Sequence, residues 1–266
     1  MPSVLNSAEV TCVGAGAARA LSSGASGQVV ATFSRATYVR TQQGLAAITW
    51  PGTHPGPLHA VLAEPIPRLE AGTRIHVRGL RVQMGEGVVV NLLNAKRWIG
   101  HQPNALALGA ARRVASCALA PFLGGSSLLC EPWASATEGW QAAVAGADME
   151  RLAHLLGGIG PGLTPSGDDA LAGVLLVARL LWGASSEPRL LGCVPRARTS
   201  ELSVEFLLWA AQGQSVAPMH DLLRASVEGR QDDALRCAQL LAHVGASSGA
   251  DLCLGLERAL EHLPVM

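Results

Sequence analysis

The stretch "NALALGAARRVASCALA" (Asn104–Ala120) decides the fold, because the texture of the chain changes there. Alanine and leucine recur in it at helical spacing. On its N-terminal side lie short segments rich in β-branched residues: "GQVVATF" (27–33), "ATYVRT" (36–41), "GLAAITW" (44–50), "LHAVLA" (58–63), "RIHVRGLRV" (74–82) and "GVVVNLL" (87–93). Gly and Pro punctuation, such as "WPGTHPGP" (50–57) and "QMGEG" (83–87), separates them, the pattern of a strand-rich region. On its C-terminal side the helical texture continues through 136–156, 169–183, 198–213, 216–229, 232–244 and 250–263, giving about seven helical segments. Strands followed by helices, without alternation, argue an α+β chain rather than a doubly wound sheet. The expected division is a β-rich N-terminal domain over 1–104 and an α-helical domain over 105–266.

Composition limits what such a chain does. Its 266 residues are 49% hydrophobic, enough to fill a substantial core. Net charge is zero and Lys96 is the only lysine, so the basic stripe needed to hold a phosphate backbone is missing and nucleic acid is not an expected partner. The opening "MPSVLNSAEVTCVGAG" has no basic segment followed by an apolar one, and the apolar run Ala170–Gly183, interrupted by Arg179, is too short to span a bilayer. A cytoplasmic protein with no membrane partner is expected. Cys12, Cys117, Cys130, Cys193, Cys237 and Cys253 form no C-x-x-C pair and read as reduced core thiols.

Three familiar motifs are imitated without their chemistry. "CVGAGAARAL" (12–21) resembles a dinucleotide-binding turn, but no Asp or Glu lies between Val10 and Ala63 to hold a ribose. "GASSG" (245–249) has the spacing of a nucleophile elbow, yet a helical segment precedes it where an elbow needs a strand. No G-K-[ST] follows the glycines of 157–167, so they do not make a Walker A loop.

The informative feature is internal. Ser166-Gly167-Asp168-Asp169 with Gly173, and Ser248-Gly249-Ala250-Asp251 with Gly255, both read S-G-x-D-x-x-x-G at the head of an apolar helical run. One explanation is structural: Ser and Asp cap two helices, and Gly173 and Gly255 let those helices pack closely. The other is a site. Helix N-termini behind glycine-rich turns suit phosphate or carboxylate, while the aspartates accept from amide NH₂ groups or hold a Mg²⁺ on Asp168 and Asp169. A small ligand with an anionic end and an amide end meets both demands.

"GxGLTPSGDDxLAG" (160–173), "TSELSxxxLxxAxxGQ" (199–214) and "GASSGxDxxxG" (245–255) resemble the AllH family of oxamate carbamoyltransferase subunits, with weaker likeness in "GPLHAVL" (56–62) and "VNLLNAKRW" (90–98). The resemblance places the family's loops at Gly160, Gly162, Thr164, Ser166, Gly167, Asp168 and Asp169, at Thr199 and Ser203, and at Gly245, Ser248, Gly249 and Asp251. Two departures stand out: Thr199-Ser200 replaces an expected Thr-Thr, and Ala250 stands where an aromatic is common. The activity implied is cleavage of oxalurate by phosphate to oxamate and carbamoyl phosphate in anaerobic purine (allantoin) breakdown, within a multi-subunit enzyme. On that reading backbone N–H groups of Gly160–Gly167 and Gly249 bind the anion, Asp169 and Asp251 orient NH₂ groups or Mg²⁺, and Ser166 and Ser248 act as oxyanion donors. A non-catalytic binding or assembly subunit, and a Mg²⁺-dependent phosphate-ester or phosphoanhydride enzyme, stay open as alternatives. Bland readings suffice for the remaining polar candidates: His54 and His59, Arg196 and Arg198, and the helix-capping Asp232-Asp233.

Overall fold

The computed structural model describes residues 6–265; residues 1–5, part of the opening in which no leader is read, lie outside it. The chain is strand-rich in its N-terminal part and helical in its C-terminal part, as the α+β reading expects. Its described residues form two compact units that divide between Ile99 and Gly100.

In the first unit the strands are β1 (Asn6–Gly14), β2 (Ser26–Thr32), β3 (Ala36–Thr41), β4 (Gly44–Thr49), β5 (His59–Leu62), β6 (Arg74–Arg78), β7 (Arg81–Met84), β8 (Val88–Asn91) and β9 (Lys96–Trp98), with one short helix, α1 (Ala15–Ala20), after β1. Their order is β5-β4-β3-β2-β6-β7-β8-β1-β9, and β1 also pairs with β5, which closes eight strands into a barrel. β1 makes that closure. Its first half runs parallel to β8 (Asn6↔Val88 to Glu9↔Asn91), its second half parallel to β9 (Cys12↔Lys96 to Gly14↔Trp98), and its other edge is antiparallel to β5 across a bulge between Val10 and Cys12. Alternate residues point inward, as in β3 and β6, so Val29, Val39, Ile48, Ile75, Val77, Val82, Met84 and Val90 fill the core. β4 is buried on both faces because α1 covers its outer one.

The first glycine of "CVGAG" has a packing explanation here. A side chain at Gly14 would collide with the backbone of Gly56 and Pro57, so the close approach of two chain segments, not a nucleotide, requires that glycine. His59 is half-buried with its Nδ1 2.8 Å from the His54 carbonyl, and desolvation lowers its pKa.

The second unit holds α2 (Ala105–Leu119), α3 (Trp133–Ala136), α4 (Trp140–Ala145), α5 (Met149–Leu156), α6 (Ser166–Trp182), α7 (Glu187–Cys193), α8 (Glu201–Ala211), α9 (Ala217–Val227), α10 (Gln231–Ala242) and α11 (Ser248–His262). The segment expected as one helix over 136–156 is broken. Ala147 sits at φ +54 after Gly146, and Asp148 restarts the helix by accepting from the Arg151 N–H. α6 is the central element: nearly every residue from Ser166 to Trp182 is buried, with α11, α8, α5 and α2 packed around it.

One further expectation is corrected. Cys193 and Cys253 are buried, but Cys117 and Cys130 are exposed and are not core filler. Residues 105–125, which are α2 and the turn after it, are long and apolar enough by length and composition alone to cross a membrane. In the fold α2 lies against α9, α10 and α11 and buries Leu108, Ala115 and Leu119 there.

Candidate functional site

The two S-G-x-D-x-x-x-G segments begin α6 and α11, and these helices cross at the motif glycines. A Cβ on Gly255 would penetrate the carbonyl of Ala170, and one on Gly173 would stand 2.7 Å from the Leu256 nitrogen. The close-packing half of the structural explanation is therefore right. The capping half is not. The N-cap residues are Pro165 and Ser247, neither helix has a side-chain cap, and Ser166 and Ser248 lie inside the first turn.

Each copy is a helix, a turn and a second helix built to one plan. A Cβ on Gly167 would run into the Leu156 carbonyl at the end of α5, and one on Gly249 into the Leu241 carbonyl near the end of α10. The Gly167 N–H donates to the Ile159 carbonyl (2.7 Å) and the Gly249 N–H to the Val244 carbonyl (2.8 Å). The next two N–H groups turn back onto the N-cap carbonyl, Asp168 and Asp169 onto Pro165, Ala250 and Asp251 onto Ser247. These bonds overturn one expectation: Gly167 and Gly249 have no N–H to spare for an anion.

The turns meet. Thr164 Oγ1 is 3.2 Å from Ser248 Oγ, which joins the first loop to the start of the second helix. Both hydroxyls also touch the Asp169 carboxyl, and Asp251 lies near enough to act on it electrostatically. Gly160 (φ +113) and Gly162 (φ +94) give the first loop a backbone path that residues with a Cβ rarely follow. Gly245 (φ +66) does the same in the shorter second turn.

The carboxyls differ in what they touch. Asp168 is buried and fully engaged: Oδ1 accepts from the Gly158 N–H (2.9 Å) and Oδ2 from the Thr199 hydroxyl. Burial raises its pKa, and these donors, with Ser203, oppose the rise. Asp251 is also buried; its Oδ1 accepts from the Ser126 hydroxyl (2.6 Å) and the Ser127 N–H (3.1 Å), while its Oδ2 has no partner. Asp169 keeps a little exposure as a residue, but its Oδ2 is sealed from solvent and also unpartnered. Burial pushes this carboxyl well above the usual range, Asp251 and Asp168 push it further, and the Ser248 and Thr164 hydroxyls resist. The Ser166 hydroxyl is a third buried group without a partner.

Asp169 and Asp251, each with an orphaned oxygen where the two turns meet, and the orphaned Ser166 hydroxyl in the first turn of α6 form the candidate site, because an unsatisfied buried polar atom costs about 1–3 kcal/mol unless something arrives to bond it. Thr199 and Ser203, expected to contact substrate, serve as struts. Thr199 holds Asp168, and the Ser200 and Ser203 hydroxyls bond the Leu163 carbonyl (3.1 and 3.5 Å) at the loop tip. The Mg²⁺ pair Asp168-Asp169 is not supported. Both Asp168 oxygens are spent, and no group of three or more His, Cys, Asp or Glu among the described residues is placed to hold a metal. Arg196 pairs with Glu150 (3.5 Å) on the surface, and Asp233 pairs with Arg230 and Arg236 instead of capping α10.

Ser126 and Ser127 were missed in the sequence. They follow the turn 120–125, more than 120 residues before Asp251, and no motif marks them. Ala250 also gains a reason. It packs on this turn so closely that a Cβ on Gly125 would stand 3.2 Å from its own, which leaves no room for an aromatic ring.

Residues 156–260 match the model of a family described as oxamate carbamoyltransferase subunit AllH. The match runs from the end of α5 into the last turns of α11, so it takes in both motif copies and the struts on α8. No solved structure matches the chain.

Proposed function

From a chain that is AllH-like between residues 156 and 260, we propose a carbamoyltransferase subunit that interconverts oxalurate plus phosphate with oxamate plus carbamoyl phosphate, in company with other subunits. In that reaction a phosphate oxygen attacks the terminal carbamoyl carbon of oxalurate. The bond from that carbon to the ureido nitrogen breaks, and the nitrogen leaves with a proton as the NH₂ of oxamate.

The observation that carries the reading is that Asp169 and Asp251, each with a buried, unpartnered Oδ2, start two helices whose turns join at Thr164 and Ser248, with the equally unpartnered Ser166 hydroxyl in the same first turn as Asp169. Apart from phosphate itself, every ligand in the proposed reaction presents a carbamoyl or amide group together with an anionic group. The amide end suits the carboxyls, and the Ser166 hydroxyl suits a carbonyl oxygen that gains charge during attack. With the Gly167 and Gly249 N–H groups committed, the anionic end falls to the loop Gly160–Thr164, whose tip is exposed beside it. Purine catabolism and a cytoplasmic site are part of the same proposal.

The test is phosphorolysis of oxalurate by the full chain assembled with its partner subunits, read as carbamoyl phosphate formed. Ser166→Ala is expected to lower kcat about a hundredfold with little change in KM, the size of a lost oxyanion donor. Unchanged turnover in that variant removes Ser166 from the chemistry.

A further inference from the structure

Three carboxyls crowd the junction, and they cannot all be ionised there at little cost. Donors sort them. Asp168 receives the Gly158 N–H and the Thr199 hydroxyl, and Asp251 receives the Ser126 hydroxyl and the Ser127 N–H. A backbone N–H only donates, so each of the two is engaged as an acceptor of two hydrogen bonds. Asp169 meets hydroxyls alone. Thr164 and Ser248 have two protons between them, and one is spent on the 3.2 Å bond that joins them. At most one is left for Asp169, and none reaches its Oδ2. The charged groups acting on Asp169 are Asp168 on its own helix and Asp251 on α11, both of the same sign, and burial raises its pKa strongly.

We propose that the two motif copies give one ligand two unlike carboxyls: Asp251 accepts, Asp169 carries a proton on Oδ2 and donates, and together they read an amide head. The ligand's carbonyl oxygen lies against Asp169 and Ser166, and its NH₂ lies against Asp251 Oδ2. A carboxylate in the same place is refused, because it offers Asp251 no donor and brings a like charge. This rests on the carbamoyl reading above, which left open what separates the two aspartates.

Two measurements on the full chain test it. Side-chain carboxyl ¹³C NMR, assigned with Asp169→Asn, follows protonation without any ligand; Asp169 is expected to hold its proton at pH 7. Calorimetry then compares carbamoyl phosphate with acetyl phosphate, which has CH₃ in place of NH₂. Wild type is expected to favour carbamoyl phosphate roughly tenfold or more, the worth of one good hydrogen bond. In Asp251→Asn the amide oxygen must serve Ser127, so its NH₂ faces the ligand's NH₂ and the preference disappears. In Asp169→Asn the NH₂ replaces the carboxyl proton, so the preference persists. Wild-type binding weakens as pH rises through the Asp169 titration, because the donor is lost, and Asp169→Asn removes that decline. An ionised Asp169 at pH 6, or two Asn variants that behave alike, overturns the assignment. Failure of wild type to bind either ligand while Asp169 remains protonated overturns the carbamoyl reading instead and leaves the proton where it was placed.

Discussion

The two helix–turn–helix copies share a backbone plan and divide their polar work differently. In the first, two neighbouring carboxyls split the tasks: Asp168 ties the Gly157-Gly158 turn and Thr199 to the helix start, and Asp169 keeps an oxygen free. In the second, Ala250 takes the place of Asp168, and Asp251 does both jobs with one oxygen each, Oδ1 on Ser126 and Ser127 and Oδ2 free. The loops differ to match. Five residues separate Gly160 from Ser166, but only two separate Gly245 from Ser248, so the longer loop needs the additional anchor. What the copies hold in common is packing; what they do not share is which atom is left for a guest.

The common part breaks most heavily at the helix crossing. Gly255→Ala puts a methyl group into the carbonyl of Ala170, where only separation of α6 from α11 relieves the overlap. A loss of about 3 kcal/mol is expected in urea unfolding, the upper range for overpacking, with a smaller loss for Gly173→Ala, whose Cβ meets its nearest atom at 2.7 Å. Equal effects, or losses below about 1 kcal/mol for both, would show that the crossing yields more easily than its geometry implies.

Asp168→Ala sharpens the comparison directly, since it gives the first copy the S-G-A-D start of the second. The substitution strands the Gly158 N–H and the Thr199 hydroxyl beneath the loop, and a destabilisation of about 2 kcal/mol is expected. The same change removes one like charge from Asp169, so its carboxyl should titrate lower, as followed by ¹³C NMR. A variant as stable as wild type would mean that the first loop does not need its anchor.

How far these differences can be read from the sequence depends on how local their causes are. The strand Ala36–Thr41 coincides with "ATYVRT", and the motif helices begin where the serine-glycine pairs announce them, because periodicity and turn residues act over a few positions. β1 and β9 escaped notice. "NSAEVTCVG" mixes small and polar residues, and its strand character comes from partners about 50 to 85 residues away. In the site, Ser166, Asp169 and Asp251 are visible as chemistry-bearing residues. Their inequality is not visible, because it depends on donors from the turn after α2 and from the N-terminus of α8. The commitment of the Gly167 and Gly249 N–H groups is likewise a matter of where two preceding helices end.

The smallest expected effect concerns a strut that only the first copy has. Ser200 caps α8 by accepting from the Ser203 N–H (3.1 Å), and its hydroxyl proton goes to the Leu163 carbonyl, so one side chain fixes both a helix start and the loop tip. An alanine there leaves the cap to water at an exposed position, with a cost of about 1 kcal/mol. Threonine, which the family resemblance leads one to expect at this place, keeps the hydroxyl and should restore most of that stability. The loop contact makes a second demand. If Leu163 is held so that Gly160–Thr164 can face an anion, Ser200→Ala should weaken phosphate binding more than helix stability, and Ser200→Thr should recover both. Calorimetric titration with inorganic phosphate beside urea unfolding separates the two roles, and a loss of stability alone would reduce Ser200 to a cap, leaving the longer loop to be set by Asp168 and its glycines.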